Sequence, residues 1–113
     1  MANSFINKKV DLTTTDVTTL YTVPAARTSV IKSILVSEDA GSGTTIDITL
    51  VDASDNIFSL FKAKSISSNT TVELLTQPLV IQENEVLKVQ AAQANELHVV
   101  ASILEIQPRE VTT

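Results

Sequence analysis

Apolar and polar residues alternate along much of the chain, and no run of consecutive apolar residues is longer than three. In residues 45–51, for example, Ile46, Ile48 and Leu50 are separated by polar residues. A period of two is typical of β-strands, whose successive side chains point to opposite faces of a sheet. The pattern predicts short strands at residues 5–12, 20–23, 29–38, 45–51, 57–66, 71–76, 79–82, 86–91 and 96–106.

The composition supports an all-β fold. Val, Ile and Thr supply 13, 10 and 15 of the 113 residues, and β-branched side chains suit a pleated sheet better than a helix. Residues 71–76 and 79–82 are either two short strands or one strand broken at Pro78. A chain of this length has room for one hydrophobic core. We therefore expect a single-domain β-sandwich of about eight short antiparallel strands, of Greek-key or jelly-roll type.

The sequence is divided into three parts. Residues 1–9 are predicted to be an N-terminal arm, residues 10–107 the β-sandwich domain, and residues 108–113 a C-terminal tail. The arm and the tail are either candidates for clamping a neighbouring molecule or frayed ends.

Two predicted strands, 29–38 and 96–106, carry apolar residues at both parities. In the first, Val30 shares its parity with Ile34 and Val36, while Ile31 and Leu35 have the other. Both faces of these strands are therefore expected to be covered, and a central position in a sheet follows. In so small a domain a neighbouring subunit can supply part of that cover, so the pattern favours a homo-oligomer.

The charge balance excludes several classes of partner. Thirteen acidic and eight basic residues give a net charge of −5, and an acidic surface repels the phosphates of nucleic acids. We interpret the negative charge as serving solubility. The short apolar runs exclude a membrane-spanning helix and give no sign of a secretory signal. Cysteine is absent, which excludes disulfides and thiolate metal sites.

His98 is the one histidine, so any metal site or nucleophile–base pair would depend on it. It lies in a predicted strand between Leu97 and Val99, which favours a structural or surface role. The sequence contains no nucleophile motif. We therefore expect no enzymatic activity, no cofactor, and no catalytic or metal-binding residues.

Two loops invite a comparison with ligand-binding motifs. Residues 52–56 contain Asp52, Asp55 and Asn56, whose oxygens suit a hard cation, but the order of a calcium loop is missing. The segment is better interpreted as a hairpin turn. Residues 24–28 end in a basic residue and a hydroxyl, yet lack the glycines of a phosphate loop. They are interpreted as a strand connection.

Paired carboxylates of the kind used in glycoside hydrolysis could come from Glu83 with Glu85, or from Glu105 with Glu110. Neither pair has flanking aromatic residues, and Glu83 with Glu85 fits a solvated turn. Tyr21 is the one candidate for stacking against a sugar. A carbohydrate- or receptor-binding β-sandwich module is the alternative function on this basis.

Three stretches carry a family resemblance: residues 20–28 (LYTVPAART) with the strand 30–36, residues 79–91, and the closing strand 99–106. In this order they resemble small β-sandwich virion structural proteins of tailed bacteriophages. In that family a YTVPAG-basic-T connection precedes a KSI strand, and the chain closes on vSILEI. Two turns depart from the family pattern: Ala26 replaces a glycine, and Asn84 with Glu85 replaces a Gly-Asp turn.

The resemblance implies a non-enzymatic structural protein of the virion, either a capsid-attached decoration or cement protein or a neck or tail component. The expected partners are other virion proteins, such as the major capsid protein or neck and tail proteins, and further copies of the chain. The expected location is the virion, which is assembled in the bacterial host cytoplasm. Such a protein needs a rigid body and exposed contact surfaces, because several weak contacts in one oligomer combine into firm attachment.

Overall fold

The computed structural model describes residues 3–107, and these contain nine β-strands and no helix. The strands form two antiparallel sheets, which confirms the predicted all-β sandwich. They are β1 (Ser4–Leu12), β2 (Thr18–Thr22), β3 (Thr28–Glu38), β4 (Thr44–Val51), β5 (Ile57–Ile66), β6 (Thr71–Glu73), β7 (Leu79–Ile81), β8 (Val86–Ala91) and β9 (Leu97–Ile106).

The strand order is that of a jelly roll. One sheet, here called sheet A, has the order β1-β9-β3-β6, and β7 also pairs with β3. The other, sheet B, has the order β2-β8-β4-β5. The first strand pairs with the last, β2 pairs with β8, and β4 pairs with β5. The chain is therefore a long hairpin rolled up into two layers.

The hydrophobic core lies between the sheets. Ile46 and Ile48 of β4 are fully buried there, and Leu50 packs against the core, as the alternation predicts. The segments 71–76 and 79–82 form two strands, β6 and β7, which lie one after the other along β3. The other large apolar side chains that are fully buried are those of Leu12, Val23, Ile31, Ile34, Ile66, Ile81, Leu87, Leu97 and Ile103.

β3 lies in the middle of sheet A as predicted, but the expected parity of its side chains is wrong. The register with β9 shifts between Ile31 and Ser33, where a bulge adds one residue to β3. Ile31, Ile34 and Val36 are therefore all buried, although their numbers differ in parity. Val30 and the 38% exposed Leu35 lie on the outer face instead.

β9 carries apolar residues on both faces, yet only its inner face is buried within the described residues. Leu97, Val99 and Ile103 are in the core. Leu104 and Ile106 are half-buried on the outer face of sheet A. β9 thus has the predicted central position, between β1 and β3, while within residues 3–107 its outer face is only partly covered.

The predicted N-terminal arm, residues 1–9, is corrected from Ser4 onward. Ser4–Leu12 forms β1 and pairs with β9 along its whole length. Ile6 and Val10 pack against the core. The strand predicted at residues 5–12 is confirmed and overlaps the predicted arm, because β9 supplies its backbone hydrogen bonds despite the polar run that includes Lys8 and Lys9. The predicted tail, 108–113, and residues 1–2 lie outside the described residues.

Acidic side chains accept hydrogen bonds from backbone N–H groups in the connections and at irregular points of the strands. Glu73, for example, accepts hydrogen bonds from the amides of Ile34 (2.9 Å) and Leu75 (3.1 Å) beside the gap between β6 and β7. Asp47 accepts one from the amide of Ala63 (2.6 Å) at a bulge in β5. Six acidic residues act in this way and are called the capping carboxylates: Glu38, Asp47, Asp52, Glu73, Glu83 and Glu85.

Candidate interaction surface

A buried polar network connects the two sheets through residues 21, 27, 29 and 105. The Tyr21 hydroxyl in β2 lies 2.7 Å from the Ser29 Oγ atom in β3 and 2.6 Å from Glu105 Oε2 in β9. Arg27 donates to Glu105 Oε1 at 3.0 Å. Because Tyr21 belongs to sheet B and its two partners to sheet A, the network fixes the sheets relative to each other.

Tyr21 therefore cannot stack against a sugar. Its side chain is only 2% exposed, and burial, followed by the hydrogen bond to Glu105, raises its pKa from 10.0 to about 12. Glu105 is also buried and paired with Arg27, while its suggested partner Glu110 lies outside the described residues. Contact with a sugar requires exposed side chains, and both Tyr21 and Glu105 are buried.

Ala26 and Asn84 have the backbone conformation that a glycine would favour. Ala26 has φ = 62° and Asn84 has φ = 65°, both in the left-handed region. The Ala26 amide donates to Glu83, and the Gln82 amide donates to the Glu85 carboxylate at 2.7 Å. Glu83 and Glu85 thus hold the two turns in place and do not face a common substrate position.

A pair of buried carboxyl groups, Glu38 and Glu96, lies at the other end of sheet A. Glu38 accepts hydrogen bonds from the amides of residues 41, 42, 43 and 69, at 3.0 to 3.2 Å. The bond from the Asn69 amide is the largest cause of the fall in the Glu38 pKa to about 2. Burial, then the hydrogen bond and charge of Glu38, raise the pKa of Glu96. Glu38 thereby connects the loop 41–43 with the turn at Asn69. The sequence did not predict that Glu38 and Glu96 lie together.

His98 lies on the outer face of sheet A between two aspartates. Its Nε2 atom is 3.3 Å from Asp11 Oδ1, and its Nδ1 atom is 3.6 Å from Asp39 Oδ2. Ser37 lies opposite His98 in the register, but both ring nitrogens are directed at carboxylates. The hydroxyl of Ser37 instead contacts Thr71 Oγ1 at 2.9 Å. His98 is therefore not arranged as a base for this serine.

The turn 52–56 is a hairpin turn built on one carboxylate. Asp52 accepts hydrogen bonds from the amides of Ser54 and Asn56, both at 2.9 Å, and from the Asn56 side chain. The bonds from Asn56 are the main reason that the pKa of Asp52 is lowered. Across residues 3–107, no group of three or more His, Asp or Glu side chains is placed to hold a metal ion.

The outer face of sheet A carries an apolar row that crosses four strands. Phe5 of β1 pairs with Leu104 of β9, which pairs with Val30 of β3, which pairs with Val80 of β7. Phe5 is 78% exposed and Val80 is 57% exposed. Leu104 and Val30 are half-buried between them. The outer faces of sandwich sheets usually carry polar residues, so this row, here called the outer-face row, is a candidate interaction surface.

Comparison of the sequence with protein-family models and with curated proteins gives no match. Among the described residues, no helix is long and apolar enough to cross a membrane.

Proposed function

We propose that the protein is a non-enzymatic structural component of a tailed-phage virion that binds other virion proteins through the outer-face row. The observation that carries the proposal is the exposure of Phe5 and Val80 at the two ends of a continuous apolar row. Such a row is stabilised when a partner covers it, because apolar area then leaves water. The family resemblance supplies the class of partner.

The rigidity of the body supports an assembly role. The Tyr21 network ties the two sheets together, and the capping carboxylates hold the connections. A body of this kind loses little conformational entropy on binding, so modest contacts suffice for attachment. Of the two virion locations, we propose the capsid surface, where many copies can be displayed and their weak contacts combine.

The proposal is tested first by mass spectrometry of purified particles, in which the protein should be present in many copies. Absence from the particles would refute it. Phe5→Ser combined with Val80→Ser should then leave the thermal unfolding midpoint almost unchanged and greatly reduce incorporation. Val17→Ser is the matched control, since Val17 is 56% exposed and lies outside the outer-face row. Equal incorporation of both variants would exclude the row as the contact surface.

Electron microscopy of particles that lack the protein separates the two locations. Weakened shells with normal tails are expected for a capsid-attached protein, and defective tail assembly would place it in the neck or tail. A glycan array should show no binding, since Tyr21 is buried.

A further inference from the structure

β5 is a long strand at the end of sheet B with one open side. It pairs with β4, and within residues 3–107 no strand pairs with its other side. Its first half is apolar and unusually exposed: Ile57 is 70% and Phe58 is 51% exposed. An open edge presents unpaired N–H and C=O groups to any strand that approaches.

The second half of β5 restricts which strands can bind. Lys62 and Lys64 are exposed there, and Ala63 between them is held in a bulge with φ = 50° by the Asp47 carboxylate. Lysines and bulges at an edge discourage unspecific pairing. Lys62 already has Asp47 Oδ2 of its own chain at 3.9 Å. A partner strand must therefore pair with the first half and bring negative charge to Lys64.

The chain itself meets both requirements. The turn 52–56 lies directly before β5, and Asp55 in it is exposed and not used to build the turn with its side chain. β5 also has a register shift between Ser59 and Phe61, so only residues 57–59 are regular in this half. When two copies of β5 pair antiparallel about a two-fold axis at Phe58 or Ser59, the apolar halves lie side by side. Lys64 of each copy then lies beside the turn 52–56 of the other, and the same charge contact forms twice.

The free edge of β1 does not offer this match. Lys8 lies at the middle of Ser4–Leu12, so antiparallel self-pairing of β1 brings the two Lys8 residues next to each other. Like charges placed opposite one another in a sheet are destabilising. The charge pattern thus distinguishes the two long edges and selects β5.

The geometry points to a homodimer in which β5 pairs antiparallel with β5 of a second copy, joining the two B sheets into one eight-stranded sheet. The positive charge of this edge disfavours pairing with strands that bring no negative charge. It favours a strand that lies next to an acidic turn. This inference is independent of the virion proposal, since it concerns the isolated chain. It also leaves the outer-face row free for other partners.

Sedimentation velocity over a concentration series tests the dimer with variants in which one charge of the proposed contact is reversed. The wild-type chain should sediment as a dimer. Lys64→Glu and Asp55→Lys, each alone, place like charges together twice and should weaken the dimer by about tenfold or more. A mixture of the two variants should form dimers again, and native mass spectrometry should identify them as heterodimers. Lys9→Glu, on the β1 edge, is the matched control and should change nothing.

A monomeric wild-type chain, an equal effect of Lys9→Glu, or a mixture that stays monomeric would each overturn the inference. Because Asp55 has φ = 66°, its replacement can disturb the turn, and a second readout avoids that position. The chain has no cysteine, so Ser59→Cys should give a disulfide-linked dimer on oxidation, whereas Asn7→Cys on β1 should stay monomeric. The reverse result would also overturn the β5 contact.

Discussion

Replacing Tyr21 by phenylalanine removes one hydroxyl group from the buried network and leaves the ring in place. The hydroxyl lies within 2.7 Å of both Ser29 Oγ and the Glu105 carboxylate, and Ser29 is fully buried. A hydrogen bond to a charged group contributes about 1.5–3 kcal/mol, and a buried group left without its partner adds to the cost. Arg27 still pairs with Glu105 and limits the loss. We expect the free energy of unfolding to fall by about 2 kcal/mol.

Urea unfolding followed by circular dichroism measures this change. The midpoint should fall while the slope with urea concentration stays constant, since the surface exposed on unfolding is the same. The control is a double-mutant cycle with Ser29→Ala. In that background Tyr21→Phe should cost less, because one of the two hydrogen bonds has already been removed.

A loss below about 0.5 kcal/mol, as at an ordinary surface site, would refute the reasoning. It would mean that water replaces the hydroxyl between the two sheets. Equal costs in both backgrounds would show that Tyr21 and Ser29 do not interact.

Three further predictions concern titration and backbone strain. The single tyrosine should titrate at about pH 12 by ultraviolet absorbance, and stability should fall as pH rises from 10 toward 12; a midpoint near 10 would contradict the burial of Tyr21. Glu96→Gln should raise the thermal midpoint at neutral pH and have little effect below pH 4.5, because the raised pKa means that ionised Glu96 opposes folding. Gly43→Ala should cost about 1 kcal/mol in urea unfolding, because Gly43 has φ = 71°; a gain would show that the turn tolerates a side chain.

The strands themselves could be predicted because alternation with a period of two survives in the sequence. Residues 57–66 and 86–91 were predicted with the bounds that the structure shows. The sequence could not predict which side chains of β3 face the core. A bulge adds one residue and reverses the parity beyond Ile31. Nothing in the residue types around Lys32 distinguishes a bulge from regular strand.

The candidate surfaces were less visible in the sequence. The outer-face row combines residues as far apart as Phe5 and Leu104, so only the order of the strands in sheet A reveals it. Glu38 and Glu96 have the same difficulty, because they come together through a loop closure between distant segments. The turn 52–56 could be interpreted locally, since Asp52 binds the amides of Ser54 and Asn56. The contacts of His98 with Asp11 and Asp39 could not be predicted, because they join distant segments of the chain.

The capping carboxylates change the meaning of the net negative charge. Nearly half of the 13 acidic residues bind backbone amides, so the charge is part of how the connections are built as well as a source of solubility. The stabilisation from Glu38 is complete above its unfolded pKa of 4.5 and is lost as pH falls through about 2. The core cluster between the sheets contains no carboxyl groups. Acid would therefore first release the loops whose amides Glu38 binds, and the two packed sheets would remain.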